Sequence, residues 1–240
     1  MKDKEYKVKY LGHSAFIVES KNYYLFFDYV GISEDDGYEI EEQIINFENY
    51  EDKTVIMFNS HDHFDHYNKA LHLETQKYKN IISILGDIES NLKNTITIKP
   101  REIKEIGNIK IYAGASTDLG VCYLIDIDGF VIYYGGDNAD WGDGDEANNI
   151  HYQEIDYFAN LGLKVDLAFI PVCNFSGQRP KDMTNGAIYS IKKLNPRIVF
   201  PMHSAGREKL YKNFLTDAIN DNCTNKIICM EKMGQIYTGE

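Results

Sequence analysis

The nine residues Asn59-Ser60-His61-Asp62-His63-Phe64-Asp65-His66-Tyr67 hold three of the chain's seven histidines, with two aspartates between them. Imidazoles and carboxylates packed this densely repel their own kind and add little to a core, whereas a divalent cation satisfies several of them together. In an extended or turning segment His61 and His63 point to one side, while Asp65 and His66 fall past a bend and can face a second position. The spacing H-x-H-x-D-H therefore predicts a metal site, and one loop can seed two adjacent metal positions. The competing interpretation is a solvated polar loop with incidental histidines, which leaves the repeated spacing at the end of an apolar run unexplained.

Such a loop needs a rigid support, and Thr54-Val55-Ile56-Met57-Phe58 reads as a buried strand ending at the cluster. Upstream, YKVKYLG, SAFIVES and YYLFFDY read as a meander punctuated by Gly12 and Asn22. EIEEQIINFENY (39–50) and residues 67–79 have helix-favouring composition, and ISILGD is strand again. In the second half IKIYAGA, VCYLIDID and FVIYYGGD read as strands, the last two joined by the hairpin signal Asp128-Gly129. HYQEIDYFANLGL, NGAIYSIKKLN and REKLYKNFLTDAIN read as helices; VDLAFIPV, RIVFPMH, IICM and QIYTG read as strands. Meanders followed by strand–helix alternation predict an α/β fold of sheets packed face to face with helices outside, in one domain spanning 1–240. The irregular stretch NADWGDGDEANN (138–149) is long enough to suggest a functional loop.

With 43% hydrophobic and 26% charged residues the composition is that of an ordinary globular domain. No run approaches the roughly 18 apolar residues of a membrane span, and the amino terminus lacks the apolar stretch of a signal peptide, so the expectation is a cytoplasmic protein with no membrane partner. Cys122, Cys173, Cys223 and Cys229 show no C-x-x-C spacing, and three of them sit in or beside apolar runs that suit a buried thiol. Acidic side chains outnumber basic ones by 12, a field that repels phosphate backbones, so a small-molecule substrate is expected and nucleic acid is not. The tyrosines of YFANLGL and LYKNFL suit either core or an interface, which leaves a homo-oligomer open.

The cluster SHDHFDH resembles the signature of the metallo-β-lactamase fold hydrolases, and LGHSAFIVES, the Asp28 of LFFDYV, GGDNADW with Asp137 and FPMHSAG with His203 follow in that family's order. The wording GHSAF, STDLG and PMH is most similar to the branch containing ascorbate-6-phosphate lactonase-like proteins. The resemblance implies an αββα four-layer sandwich. It also implies one metal on His61, His63 and a third histidine, another on Asp65, His66 and His203, and Asp137 as the bridge. Asp28 would stand behind the ligands, orienting the ligand loop by hydrogen bonds; His13 can join it there or serve only as a structural residue of a strand-start loop.

The third histidine is missing: the strand end where the family carries it reads YAGASTDLGVCY. Asp118 can replace it or can be a turn residue, His151 can swing in from NNIHYQ, or solvent can fill the place. The implied activity is a hydrolase using a metal-bound hydroxide on a small ester, lactone or phosphoester, with Asp65 and Asp137 catalytic and one or two divalent ions, zinc or manganese, with iron and nickel left open. No G-x-S-x-G elbow or Cys/His pair points to covalent catalysis. Alternatives are a catalytically weakened metal-binding protein of this fold, a metal-dependent phosphodiesterase and, last, a di-iron oxidoreductase, for which no electron-carrier domain is visible. The loop VCNFSGQRPKD offers Arg179 and Lys181 to an anionic group or to solvent.

Overall fold

Strand residues alternate between two faces, and here the alternation builds two sheets that share one interior. The computed structural model describes residues 5–31, 45–142, 144, 146–174 and 176–239. In the first sheet β1 (Tyr6–Gly12), β2 (Ala15–Glu19) and β3 (Tyr23–Phe27) form an antiparallel meander, and β4 (Thr54–Asn59), β5 (Ile81–Gly86) and β6 (Thr95–Ile98) follow in parallel. The second sheet has β7 (Ile103–Ile106), β8 (Ile109–Ala115), β9 (Val121–Ile127) and β10 (Phe130–Tyr134) antiparallel, then β11 (Leu167–Pro171), β12 (Ile198–Met202) and β13 (Lys226–Ile227) in parallel. β14 (Ile236–Gly239) returns to pair antiparallel with β1, so each sheet passes from antiparallel to parallel at its centre.

Leu25 and Phe27 of β3 face the inter-sheet core, whereas Phe26 between them belongs to the outer cluster with Tyr29, Phe47 and Met57. Aromatic rings close the interior across the sheets: Phe27 stacks on Tyr134 at 4.7 Å and Phe16 meets Phe169 at 4.7 Å. Outside the first sheet lie residues 45–50 and α1 (Lys69–Thr75), which sends Leu71 inward. α2 (Asn149–Asn160), α3 (Lys181–Leu194) and α4 (Lys209–Asn220) cover the second sheet against β8, β11 and β12. The layering is the αββα sandwich.

The sequence reading differs from the structure at several places. The helix expected at 67–79 is held to Lys69–Thr75 because Asn68 caps it, its Oδ1 accepting from Ala70 N at 2.9 Å. Of EIEEQIINFENY, 39–44 lie outside the described residues, and Phe47–Tyr50 form a single 3-10 turn. β6 and β7 went unread: Thr95–Ile98 is short, and Ile103–Ile106 is an edge strand with no fully buried residue. The IICM strand contracts to Lys226–Ile227. The four cysteines are free thiols, and among the described residues no helix is long and apolar enough to cross a membrane.

His72 of α1 is fully buried, its Nδ1 2.9 Å from Ser83 Oγ, and burial pushes its imidazole down to about 4. The folded state therefore resists a proton that the unfolded chain accepts below about 6.5, and stability falls as pH drops from about 6.5 towards 4. In urea titrations of metal-free protein across that window, His72→Asn is expected to flatten the slope of unfolding free energy against pH by about one proton relative to wild type.

Candidate metal centre

One edge of the sandwich collects strand ends, as open α/β sheets do where they bind ligands. β3 ends at Asp28, β4 runs into residues 60–66, the β8–β9 turn carries Asp118, Gly135-Gly136 follows β10 before Asp137, β12 ends at His203, and the β1–β2 turn carries His13. His13, Asp28 and His203 have φ of 49°, 40° and 71°, left-handed values that cost a non-glycine residue about 1–3 kcal/mol each. In each case the unusual backbone turns a side chain off a strand end into the cluster. Gly120 is required by contact as well as by its φ of 63°, since a Cβ there would lie 2.1 Å from Ser60 O.

Two groups of potential ligand atoms result, each within 4.8 Å: His61, His63, Asp118 and Asp137 in one, His13, Asp65, His66 and His203 in the other. Asp137 faces both. Its Oδ2 lies 3.7 Å from His61 Nε2 and 3.3 Å from His203 Nε2, and its Oδ1 lies 3.3 Å from His66 Nε2. Asp118 Oδ2 lies 3.3 Å from His63 Nδ1 and 3.8 Å from His61 Nε2.

Behind these atoms a hydrogen-bonded frame assigns the ring protons. Asp28 is fully buried; Ser60 N donates to its Oδ1 at 2.7 Å, and the Ser60 and Tyr134 hydroxyls donate to Oδ2, both at 2.7 Å. His66 Nδ1 lies 2.5 Å from the same Oδ2 and must donate to it, which turns Nε2 toward Asp137. The single Ser60 hydroxyl proton is engaged by Asp28, so His61 Nδ1, 2.9 Å away, donates to Ser60 Oγ. His203 Nδ1 donates to Cys173 O at 2.7 Å. In all three rings the outer nitrogen carries a proton and the inner one faces the cluster, His61 Nε2 lying 2.9 Å from His63 Nδ1, the arrangement typical of metal-ligating histidines.

The residues fit a divalent cation. His66 Nε2 and Asp137 Oδ1 are buried and have no hydrogen-bond partner although they face each other, a cost that a cation removes. The donors are imidazole nitrogens and carboxylate oxygens, which suit zinc, manganese or iron. Burial opposes ionisation of Asp137, yet the imidazoles of His203, His66 and His61 outweigh it and hold the carboxyl well below the ordinary range. Burial would likewise depress His66, but Asp137, Asp28 and Asp65 push it up to about 10. At neutral pH a cation must therefore displace a proton from His66.

His61, His63, Asp65, His66, Asp137 and His203 thus converge, with Asp28 hydrogen-bonded behind them. Asp118 combines both readings made from sequence: its N–H donates to Ser116 Oγ at 3.3 Å in a turn while its carboxylate faces His63. His13, expected behind the ligands, reaches the cluster itself with Nε2 3.1 Å from Asp65 Oδ2. His151 is corrected: it is buried at the start of α2, its Nδ1 against Asn138 O and its Nε2 against Gly186 O, facing helices rather than the cluster. Arg179 is corrected too, being bound to Asp217 and Leu210 O of α4. Sequence reading missed Ser60, which stood inside the conspicuous stretch, and Tyr134, which nothing local marked.

A family profile described as a beta-lactamase superfamily domain matches residues 7–203. A UPF0173 metal-dependent hydrolase of Thermococcus kodakarensis is 24% identical, with 82% of this chain and 84% of that protein covered. The solved structure of Igni18, a metallo hydrolase of Ignicoccus hospitalis, superposes with a TM-score of 0.68 at 18% identity over 98% of this chain and 99% of that one. A metal-dependent hydrolase structure from Parabacteroides distasonis gives 0.64 at 20% identity over 95% and 94%.

Replacing Asp28 by Asn puts an amide donor where the pocket supplies only donors. Zinc affinity, measured by competition with a chelating dye, is expected to fall about 10–100-fold while every ligand-bearing side chain stays in place. Gly120→Ala combines a left-handed alanine with a backbone clash; chemical denaturation of metal-free protein should show a loss of at least about 1–2 kcal/mol.

Proposed function

The chain belongs to the β-lactamase superfamily, and from that premise we propose that it is a metal-dependent hydrolase of small esters, lactones or phosphoesters. The observation that carries this reading is Asp137, whose two carboxylate oxygens face both histidine groups at once. In this reading His61, His63 and Asp118 would hold one metal and Asp65, His66 and His203 the other, with Asp137 placed to serve both. A bound zinc or manganese supplies Lewis acidity, which lowers the pKa of water and polarises a carbonyl or phosphoryl oxygen. Asp65 and Asp137 would orient the attacking water as well as hold the metal. Asp28 and Ser60 keep His61 and His66 in the tautomers that the chemistry requires.

The Trp141 ring lies 5.7 Å from His203 and gives the cluster an aromatic neighbour. Such a neighbour, on a chain with net charge −12, suits a lactone or small ester better than a polyanionic phosphodiester. This agrees with the lactonase-like wording of GHSAF, STDLG and PMH. A second reading, a mononuclear or catalytically weakened protein, draws on Asp118: its side chain is 34% exposed, and burial together with the Asp137 carboxylate pushes its carboxyl up, both of which weaken the first position.

Elemental analysis after incubation with zinc or manganese is expected to give two metals per wild-type chain and one for Asp118→Ala. One metal in both proteins would establish the mononuclear reading, and none in either would remove the metal centre. Against a panel of lactones and phosphodiesters, Asp65→Ala is expected to lower turnover by about 10²–10⁴-fold.

A further inference from the structure

The clustered histidines do not all carry their protons on the same side. In His61, His66 and His203 the ring nitrogen remote from the cluster donates to Ser60 Oγ, Asp28 Oδ2 and Cys173 O, so that the near nitrogen is the one presented to a cation. His13 is wired in the opposite sense. The backbone N–H of Ala205 donates to its Nδ1 at 3.1 Å, so that nitrogen must offer a lone pair. A neutral imidazole then carries its proton on Nε2, and Nε2 points into the cluster, 3.1 Å from Asp65 Oδ2.

A histidine in this state cannot ligate through Nε2 without losing its last ring proton and becoming an imidazolate. It can donate. We propose that His13 is not a ligand of the metal centre but a positioning residue, an Nε2–H donor of fixed tautomer that holds the Asp65 carboxylate for the second position. The inference rests on the metal-centre reading and deepens it, assigning the proximal residue of the N-terminal Gly-His-Ser segment a task distinct from that of the other histidines. Asp65 Oδ2 has a second lone pair, and it lies 3.6 Å from His66 Nε2, so accepting from His13 does not withdraw it from the cation position.

The tautomer is fixed by the loop that also supplies His203. His203 N donates to His13 O at 3.1 Å, and Ala205, two residues on, donates to the His13 ring, so that 203–205 grip His13 by backbone and side chain together. The rings of His13 and His203 lie 4.3 Å apart at 47°, which leaves little freedom for His13 to flip and exchange its nitrogens. His13 and Ala205 have φ of 49° and 48°, and this pairing of two left-handed residues aims the amide at the ring.

The test is long-range ¹H–¹⁵N correlation spectroscopy of histidine-labelled protein, metal-free and loaded with zinc, with assignment through single-histidine variants. The expected result is a His13 ring with Nδ1 unprotonated and Nε2 protonated in both states, while His61, His66 and His203 acquire zinc-shifted Nε2 resonances. A zinc-shifted, unprotonated Nε2 on His13 would overturn the inference, and so would a proton on Nδ1. If no histidine responds to zinc, the metal-centre reading fails, and His13 is still judged by its ring proton: on Nε2 the donor role to Asp65 is upheld, on Nδ1 it is refuted. A second measurement separates positioning from ligation. At saturating zinc His13→Ala is expected to keep the wild-type stoichiometry with about 10–100-fold weaker binding of one ion. Loss of one whole equivalent, as expected for His203→Ala, would make His13 a ligand.

Discussion

A carboxylate removed from water costs several kcal/mol unless hydrogen bonds replace its solvation. Asp28 is such a carboxylate, and the histidine loop at the open edge of the sandwich is arranged around supplying it. Its donors come from the loop after β4, from the far sheet through Tyr134, and from a ring that itself faces the cation positions. The demand of one buried anion therefore fixes the start of the histidine loop, the orientation of His66 and, through the shared Ser60 hydroxyl, the orientation of His61. It also ties the two sheets together at the level of the site, since Tyr134 sits on β10 and Asp28 follows β3.

The same edge carries backbone strain that a lone loop would relax. His13, Asp28 and His203 hold left-handed conformations, and Gly120 is pressed to within a Cβ's width of Ser60. Each is over-determined by neighbours: His13 by the 203–205 backbone, Asp28 by its four donors and by its own N–H to Phe58 O, His203 by Cys173 O. The sheets supply rigidity and the strand ends supply direction, so the cluster is held before any cation arrives.

What could be read from sequence was local. H-x-H-x-D-H declared itself because its members are neighbours in the chain, and the strands around it declared themselves by apolar alternation. Asp118 was legible as a candidate because it lies where a ligand was due, although only its 3.3 Å approach to His63 separates a turn residue from a donor. His151 looked equally eligible and was not, since its surroundings come from α3, far along the chain. The bond between Asp28 and His66 spans 38 positions, and the amide that fixes the His13 tautomer lies 192 positions away. Such long-range hydrogen bonds leave no periodicity behind them. β7 escaped for another reason: an edge strand with half-exposed residues carries little hydrophobic pattern.

The succession of antiparallel then parallel strands occurs once in each sheet, and the ligand groups are divided between the two. His61, His63, Asp65 and His66 belong to the first sheet's strand ends; Asp118, Asp137 and His203 belong to the second's. Neither half alone holds all the candidate ligands. A cation bound across them clips together segments that the chain separates by most of its length, closing loops whose entropy has already been spent by folding. A cation held by both halves at once would favour the docked form over either half alone, so its tightest binding would report on assembly itself: a firmly charged site would be a chemical receipt that both halves have folded and met.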